Sequence, residues 1–391
     1  MRVAVMSSEY PPFIVGGVGT YVENLVLGLN KVGVKVTVLS GYPGSRRGIL
    51  RTTEANSQVD VIRFPYPDVP PRHTWLQLLN MKDLCRVIKT IDPDVIHGQQ
   101  GSVYPASIKL KTLAPIIVTF HSSPKAWQII GTHSILHGGT PEDFLTYVLG
   151  YPLTYFTYKR ELRDSRAAVA VSRVLVSELL DEMGTQYSEK LCAIENGVDL
   201  EELDREYHDG LESPDTILFA GRLNWQKGAL NLIHLATCFL TEKPELKVIV
   251  HGRGPLLNKM KHLATTLGLK NLDLRGFTSK TELMESMAKS TFIVLPSFYE
   301  GFPMILVEGM CLGKIPVMFD LPYARELTEN GANGILAKDT QDMAAKIISM
   351  SRQRDLQDFK ATIKRTSRAK FDMKLKAMQY RDLYKYVCNS V

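Results

Sequence analysis

The sequence has no apolar run that approaches the roughly 18 residues needed to span a bilayer. Its first six residues lack the long apolar core and cleavage site of a signal peptide, and they predict a first β-strand instead. Five scattered cysteines form neither a metal-type pair nor an even disulfide set. We therefore expect a cytoplasmic protein, with peripheral contact at the inner face of the membrane left open.

The sequence also lacks a strong charge imbalance, since 47 basic and 41 acidic side chains give a net charge of +6. This mild excess suits a polyanionic ligand or weak attraction to anionic lipid. The sequence has no ladder of interleaved basic and aromatic residues and no zinc-finger spacing, so we expect no nucleic acid partner.

The dinucleotide fingerprint Gly-x-Gly-x-x-Gly is absent as well. The glycine-rich stretch that follows the first predicted strand is long and contains proline, and no acidic residue ends the second predicted strand, residues 34–40. Both features argue against an NAD-dependent dehydrogenase.

Short β-branched runs alternate with longer amphipathic stretches along most of the chain, which is typical of parallel sheets covered by helices. The predicted strands lie near residues 3–6, 34–39, 59–64, 95–97, 116–120, 168–171, 191–194, 216–220, 246–251, 272–276, 292–295 and 315–319. The helices predicted between and after them lie near residues 18–31, 228–240, 255–267, 281–289, 303–312, 340–351 and 374–387.

This α/β pattern breaks once, after the turn signal at residues 196–199, where an acidic and weakly apolar stretch follows. We predict a first doubly wound domain at residues 1–200, a linker at 201–215 and a second doubly wound domain at 216–370. Residues 371–391 would form a final helix. The apolar residues of that helix are Leu375, Met378, Leu383 and Tyr386.

The most informative segment joins a predicted buried strand, residues 292–295, to a helix that begins near Pro303. A tight loop between strand and helix presents backbone N–H groups to anions. This segment also carries two carboxylates, Glu300 in the loop and Glu308 about two turns into the helix. Anion-binding amides beside two acids suit a ligand that is part phosphate and part sugar.

Two cations, Arg222 and Lys227, follow the strand at residues 216–220. Such a pair on a loop is commonly just solvated, but ligands of doubly wound folds bind at the carboxyl ends of strands. There Arg222 could bind a diphosphate as a bidentate fork and Lys227 as a point charge.

Three further candidates lie in the first domain. Gly16 and Gly17 open the first helix, where backbone can approach a phosphate closely, although a glycine-rich turn alone is weak evidence. His121 ends the strand at residues 116–120, and His97 holds the equivalent place after residues 95–96 as a weaker candidate. A lone histidine at a strand end is more often a structural hydrogen-bonding group than a catalyst.

Taken together, these segments resemble the retaining glycosyltransferases of family 4 over nearly the whole chain. This family has the GT-B fold, in which two doubly wound Rossmann-like domains face a cleft. The matching segments, in order, are Gly16-Gly17-x-Gly19, Asn196-Gly197-Val198-Asp199, the stretch from Gly221-Arg222 to Lys227-Gly228, and the stretch from Glu300 to Glu308. Arg253 departs from the family, which often has an acidic residue at that position.

The resemblance implies a role for each matching residue. Arg222 and Lys227 would hold the pyrophosphate of a nucleotide sugar, Glu300 would contact the transferred sugar, and Glu308 would bind the ribose hydroxyls. His121 would face the reacting centre. The final helix, residues 371–391, would pack back on the first domain. Other donor contacts would come from Gly16, Gly17 and the backbone near Phe302, Pro303, Met304 and Ile305.

The implied reaction is a retaining hexosyl transfer that needs neither a metal ion nor a cofactor, since the nucleotide sugar is a co-substrate. We expect a UDP-sugar first and a GDP-sugar next. The hydroxyl acceptor would be a glycan, a lipid-linked sugar or a small polyol. The alternatives are a nucleotide-sugar epimerase on the same architecture and a binding protein without turnover.

Residues 127–166 are rich in aromatics and end with Lys159, Arg160, Arg163 and Arg166. One interpretation is an amphipathic surface that touches a lipid-linked acceptor or an anionic membrane. We favour the other interpretation, helices that pack into the core of the first domain, because such stripes are commonly buried.

Overall fold

The structure is a computed structural model that describes residues 1–13, 16–44, 48–54, 59–67, 72–136, 150–207, 213, 215–353 and 355–389. The chain divides into two compact units. Unit 1 comprises residues 1–127, 149–199 and 372–391, and unit 2 comprises residues 128–148 and 200–371.

Unit 1 contains an eight-stranded sheet in the described part of the chain, with the order β3-β4-β2-β1-β5-β6-β7-β8. All neighbouring strands are parallel except β3, which is antiparallel to β4 and was not predicted from the sequence. The strands are β1 (Arg2–Ser7), β2 (Lys35–Pro43), β3 (Leu50–Glu54), β4 (Val59–Tyr66), β5 (Val95–Gln99), β6 (Ile116–Phe120), β7 (Ala167–Ala170) and β8 (Leu191–Ala193).

The helices described between Met1 and Asp199 include several that the sequence patterns did not predict. They are α1 (Gly17–Lys31), α2 (Arg72–Ile91), α3 (Ser107–Leu110), α4 (Pro124–Leu136), α5 (Tyr151–Asp164) and α6 (Arg173–Met183), followed by the 3-10 turn Thr185–Tyr187. The face of α1 that carries Tyr21, Val22, Leu25 and Leu29 is buried, as its helical spacing predicts.

Unit 2 contains a six-stranded parallel sheet in the order β11-β10-β9-β12-β13-β14. The strand order reverses between β9 and β12, because the chain proceeds outward from β9 in one direction and then returns to add β12 on its other side. This is the topological switch point of a doubly wound sheet, the usual place for a ligand. The strands are β9 (Thr216–Ala220), β10 (Lys247–His251), β11 (Leu272–Gly276), β12 (Phe292–Leu295), β13 (Ile315–Phe319) and β14 (Ile335–Ala337).

Helices cover the sheet of unit 2 and begin inside the stretch that was predicted as a linker. Residues 201–206 of that stretch belong to a helix, whereas residues 208–212 and 214 lie outside the described residues. The helices of unit 2 are α7 (Leu200–Glu206), α8 (Ala229–Glu242), α9 (Leu257–Thr266), α10 (Lys280–Lys289), α11 (Met304–Cys311), α12 (Pro322–Thr328), α13 (Thr340–Met350) and α14 (Leu356–Phe371).

The final helix, α15 (Met373–Asn389), belongs to unit 1 and packs on α1. A Cβ atom at Gly28 of α1 would lie 2.6 Å from the Met373 side chain, so the glycine permits this close approach. The buried stripe of α15 is Met373, Ala377, Tyr380, Tyr384 and Val387, whereas Leu375, Met378 and Tyr386 are exposed. Both stripes have helical spacing, and only packing against α1 distinguishes them.

Among the described residues, no helix combines the length, the hydropathy and the low number of charges that crossing a membrane requires.

Candidate functional site

In unit 2, the loop after β9 and the loop after β12 are bound together along their backbones. Phe298 N–H donates to the Gln226 carbonyl oxygen at 2.8 Å, and the Gln226 side-chain amide donates to the Tyr299 carbonyl oxygen at 3.2 Å. The rings of Trp225 and Phe298 stack with centroids 4.4 Å apart and planes 9° from parallel. These contacts bring the residues predicted from two distant segments to one place.

Gly228 allows this close approach of the two loops. It has a φ of 65° and caps the start of α8 (Ala229–Glu242). A Cβ atom built on Gly228 would lie 1.9 Å from the carbonyl oxygen of Pro296, far inside a van der Waals contact. Any other residue at this position would therefore push the loop after β12 away from the loop after β9.

Lys227 and Glu300 form an ion pair where the two loops meet. The ammonium nitrogen of Lys227 lies 2.6 Å from Oε1 and 2.7 Å from Oε2 of Glu300. The side chain of Glu300 is 7% exposed and that of Lys227 is 24% exposed, so the pair is buried on the carboxylate side and reachable on the other. The Asn224 side-chain oxygen accepts from the Lys227 N–H at 3.1 Å and shapes the turn that carries the lysine.

Arg222 lies two residues after the end of β9 and is exposed. Within the described part of the chain, its guanidinium has no hydrogen bond or ion pair. Arg222 therefore adds a cation at the switch point whose donors are available to an anion.

Helix α11 begins at Met304, with Pro303 as its N-cap and no capping side chain. Because proline has no N–H, a ligand at this end of the helix would receive hydrogen bonds from neighbouring amides, such as those of Met304 and Ile305 in the first turn. The side chains of Phe302 and Met304 are buried, which confines these two residues to a backbone role. Glu308 lies on the second turn of α11 and is half-buried.

His121 follows β6 in unit 1, and its surroundings fix it as a neutral ring. Its Nε2 lies 2.9 Å from Oε1 of Gln99, and its backbone N–H donates to Oε1 of Gln100 at 2.6 Å. The ring meets Tyr21 edge-on at 4.8 Å. The ring is partly exposed, yet burial lowers the pKa of His121 to about 3, so it is a neutral hydrogen-bonding group at physiological pH.

His97 is fully buried among tyrosines and is a structural residue. Its Nδ1 lies 2.7 Å from the Tyr384 hydroxyl, and its Nε2 lies 2.8 Å from the Thr119 hydroxyl. Burial, assisted by repulsion from His121, lowers the pKa of His97 to about 3. The expectation that His97 is the weaker candidate agrees with this position, because no ligand can reach it without unpacking α15.

Gly16 and Gly17 open α1 in unit 1, and both are exposed. Cβ atoms built on either glycine would meet nothing within 4 Å, so the space beside the backbone is open. The N–H of Gly16 already donates to the Glu9 carboxylate at 2.9 Å, whereas α1 has no capping side chain and no acidic residue in its first turn. Ile14 and Val15 of the same loop lie outside the described residues.

The structure thus places Arg222, Lys227, Glu300 and the start of α11 at one switch point in unit 2. In unit 1 it places His121 at the end of a strand and the two glycines at the start of a helix. Sequence reasoning did not find the residues that orient them, which are Asn224, Gln226, Gln99 and Gln100. The sequence does carry a signal for Asn224, because the side-chain oxygen of an asparagine in a turn commonly accepts a hydrogen bond from a backbone N–H slightly further along the chain. The glutamines carry no such pattern.

Two family models match adjacent parts of the chain. The model described as Glycosyltransferase Family 4 matches residues 15–202, and the model described as Glycosyl transferases group 1 matches residues 201–367. An uncharacterized glycosyltransferase of Methanocaldococcus jannaschii is 26% identical over 352 residues, which are 86% of this chain and 84% of that protein.

Two further similarities are to a relative whose name states its sugar donor and to a protein of known structure. A GDP-mannose:cellobiosyl-diphosphopolyprenol alpha-mannosyltransferase of Xanthomonas campestris is 33% identical over 161 residues, 40% of this chain and 42% of that protein. A crystal structure of Anabaena HepE in complex with UDP and glucose has a TM-score of 0.71 at 15% identity and covers 99% of this chain and 100% of that one. This likeness shows that the chain has the GT-B fold.

Proposed function

The chain belongs to the family 4 type of glycosyltransferases, and from this premise we propose that it moves a hexosyl group from a nucleotide-diphospho-sugar to a hydroxyl acceptor with retention of anomeric configuration. The observation that carries the proposal is the junction of Lys227 and Glu300 beside Arg222 and the start of α11. Two cations, uncapped amides and a carboxylate at a switch point match a ligand with a diphosphate and a sugar.

The chemistry depends on the charge that develops as the anomeric bond breaks. The sugar gains positive charge while the departing diphosphate gains negative charge. Arg222 and Lys227 stabilise the diphosphate because they are held in place before the reaction and need little reorganisation. The N–H groups at the start of α11 add the positive end of a helix dipole.

In the proposed reaction the bond between the anomeric carbon and the phosphate oxygen breaks, and a bond from the acceptor oxygen to that carbon forms on the same face. The proton of the acceptor hydroxyl passes to the leaving phosphate oxygen. Glu300 binds sugar hydroxyls and is not a covalent nucleophile, which its pairing with Lys227 supports, since the ammonium reduces the nucleophilicity of the carboxylate.

The remaining role assignments follow the family resemblance. Glu308 would bind the ribose hydroxyls, and the backbone at residues 302–305 would contact sugar or phosphate. From unit 1, Gly16 and Gly17 would contact phosphate and the neutral ring of His121 would contact the sugar. A neutral imidazole suits such a contact, because it can donate or accept a hydrogen bond without adding a charge to the positive sugar.

We propose that the transfer is independent of metal ions. Arg222 and Lys227 supply the positive charge that a divalent cation supplies elsewhere. The chain has one Asp-x-Asp sequence, Asp92 to Asp94, and both carboxylates bind Arg2, through its side chain at 2.8 Å and its N–H at 2.7 Å. We expect turnover to persist in EDTA; complete loss of activity that Mg²⁺ or Mn²⁺ restores would contradict metal independence.

For the donor we propose a UDP-sugar first and a GDP-sugar next. The UDP complex of the Anabaena structure supports the first, and the GDP-mannose in the name of the Xanthomonas relative supports the second. That same name supports a lipid-linked acceptor, beside a polysaccharide or a small polyol. We place the reaction in the cytoplasm, with contact at the inner membrane face where the acceptor is lipid-linked.

The test is to incubate the protein with UDP-, GDP- and ADP-sugars, each with and without acceptor extract, and to measure nucleotide release and product sugar. Acceptor-dependent release with one nucleotide and an α-configured product from an α-donor is expected. Conversion of the donor sugar without acceptor would indicate the epimerase alternative, which the relatives named above do not support. Donor binding without any product would indicate a binding protein.

A further inference from the structure

Helix α5 (Tyr151–Asp164) has one buried face and one exposed face. Thr157, Tyr158, Glu161, Leu162 and Asp164 are buried, which is the packing into the core that we favoured from the sequence. The opposite face carries exposed side chains at helical spacing, namely Leu153, Phe156, Lys159 and Arg163. Phe144 and Tyr147 of the same aromatic stretch lie outside the described residues.

Helix α3 (Ser107–Leu110) lies beside α5. The buried carboxylate of Asp164 accepts from the Ser107 hydroxyl at 3.1 Å and from the Lys111 ammonium at 2.9 Å. The ring of Tyr104, just before α3, meets Phe156 edge-on at 5.7 Å. The exposed residues of α3 therefore continue the exposed face of α5.

Three apolar side chains protrude from this face, and no element of the described chain covers them. Ile108 and Phe156 are each 47% exposed, and Leu153 is 44% exposed. Arg160 lies over the rings of both Tyr104 and Phe156, at 5.8 and 5.9 Å from their centroids. Side chains of this kind place apolar groups and cations at the same level of the surface.

The exposed charged side chains of described residues 104–127 and 150–166 are all positive. Described residues 104–127 and 150–166 contain seven lysines and arginines and two carboxylates, Glu161 and Asp164. Both carboxylates are buried: Glu161 accepts from the N–H groups of Gly101, Val103 and Tyr104, and Asp164 is bound by Ser107 and Lys111. These two stretches therefore have a net charge of +5, in a chain whose total net charge is +6.

We propose that this basic-apolar face, made of Ile108, Lys109, Leu153, Phe156, Lys159 and Arg163, docks on the surface of an anionic lipid bilayer. The cations attract anionic headgroups, and the apolar side chains enter the boundary between headgroups and acyl chains. A purely electrostatic partner such as a nucleic acid would gain nothing from Leu153 and Phe156. The inference deepens the membrane contact in the proposed function, since it names the surface that would bring the site to a lipid-linked acceptor.

The test is cosedimentation of the full chain with vesicles of phosphatidylcholine alone and with about 30 mol% phosphatidylglycerol, at about 0.1 M and about 0.5 M NaCl. We expect binding only to the anionic vesicles and several-fold weaker binding at the higher salt concentration. Lys109→Gln/Lys159→Gln should lower the partition coefficient roughly 30-fold, which corresponds to about 1 kcal/mol for each cation. Phe156→Ser should lower it without reducing its salt dependence.

Lys259→Gln/Lys261→Gln, on exposed positions of α9 (Leu257–Thr266), is the charge-matched control and should bind vesicles like the wild type. All variants should keep the circular dichroism spectrum and unfolding temperature of the wild type. Equal binding to neutral and anionic vesicles, or an equal loss in the control, would overturn the proposal. Binding to dextran sulfate that is as strong as binding to vesicles, and that is unchanged in Phe156→Ser, would also overturn the proposal. Vesicle binding requires no turnover, so its failure and the failure of transfer are observed separately.

Discussion

Replacement of Gly228 by alanine tests whether the close approach of the loops after β9 and β12 forms the site. Gly228 has a φ of 65°, and a Cβ there would lie 1.9 Å from the Pro296 carbonyl oxygen. Gly268, also in unit 2, has nearly the same backbone conformation, with a φ of 62°, but a Cβ there would meet nothing within 4 Å. The pair of variants therefore separates the cost of the left-handed conformation from the cost of the contact.

The magnitudes follow from these two geometries. Left-handed backbone costs a residue with a Cβ about 1–2 kcal/mol, so Gly268→Ala should lower the free energy of unfolding by about that amount. Gly228→Ala adds overpacking, which costs about 1–3 kcal/mol more. To relieve the contact, the Pro296 carbonyl must move by about 1 Å, and a displacement of that size next to Lys227 and Glu300 should lower kcat/KM roughly 100-fold.

The assays are urea unfolding followed by circular dichroism and steady-state transfer from the preferred donor. Gly268→Ala should be less stable than the wild type but fully active, and Gly228→Ala should be both less stable and nearly inactive. Equal stability and equal activity of the two variants would refute the reasoning, because the contact with Pro296 would then contribute nothing to the site.

Three further predictions concern single groups. Arg222→Ala should lower turnover about 10²–10³-fold without changing the unfolding temperature. The exposed control Arg352→Ala should leave turnover and unfolding temperature unchanged. Near-normal turnover of Arg222→Ala would show that the guanidinium has no part in the mechanism. Burial lowers the pKa of His97 and His121 to about 3 from an ordinary 6.5, so the native state binds fewer protons than the unfolded chain. The free energy of unfolding should therefore be highest above pH 6.5. Below pH 6.5 it should fall by roughly 1 kcal/mol per histidine for each pH unit. His97→Asn should reduce this slope by roughly 1 kcal/mol per pH unit in urea titrations below pH 6.5, and an unchanged slope would contradict the pKa shift. Glu161→Ala removes the acceptor of three buried N–H groups and should lower the free energy of unfolding by at least about 3 kcal/mol. Glu161→Gln retains one acceptor oxygen and should lower it less. Equal losses in the two variants would show that the three N–H groups find other partners.

The described strands other than β3 (Leu50–Glu54) and β14 (Ile335–Ala337) were predictable, because most of them are short apolar runs bounded by turn residues, as at residues 292–295 and 315–319. The edge strand β14 has only three residues, too few to show such a run, and was not predicted. The antiparallel β3 (Leu50–Glu54) was missed, since an exposed edge strand with one apolar residue carries no such run. The final helix was predicted at nearly its observed bounds, but its buried stripe was not, because Leu375 and Tyr386 are as apolar as Ala377 and Tyr384. Local periodicity locates a helix, while the partner element selects its buried face.

The sequence by itself determined which residues carry charge at the carboxyl ends of strands, namely Arg222, Lys227 and Glu300, because strand, turn and helix patterns are local. Only the tertiary structure decided that Lys227 and Glu300, 73 positions apart, share a contact of 2.6 Å, since this depends on Gly228 meeting Pro296 and on Gln226 binding the loop after β12. It also decided that the two carboxylates of α5 turn inward and leave its cations outside. Such pairings arise from the order of strands in a sheet and from the packing of helices on it, which connect segments that no local pattern relates.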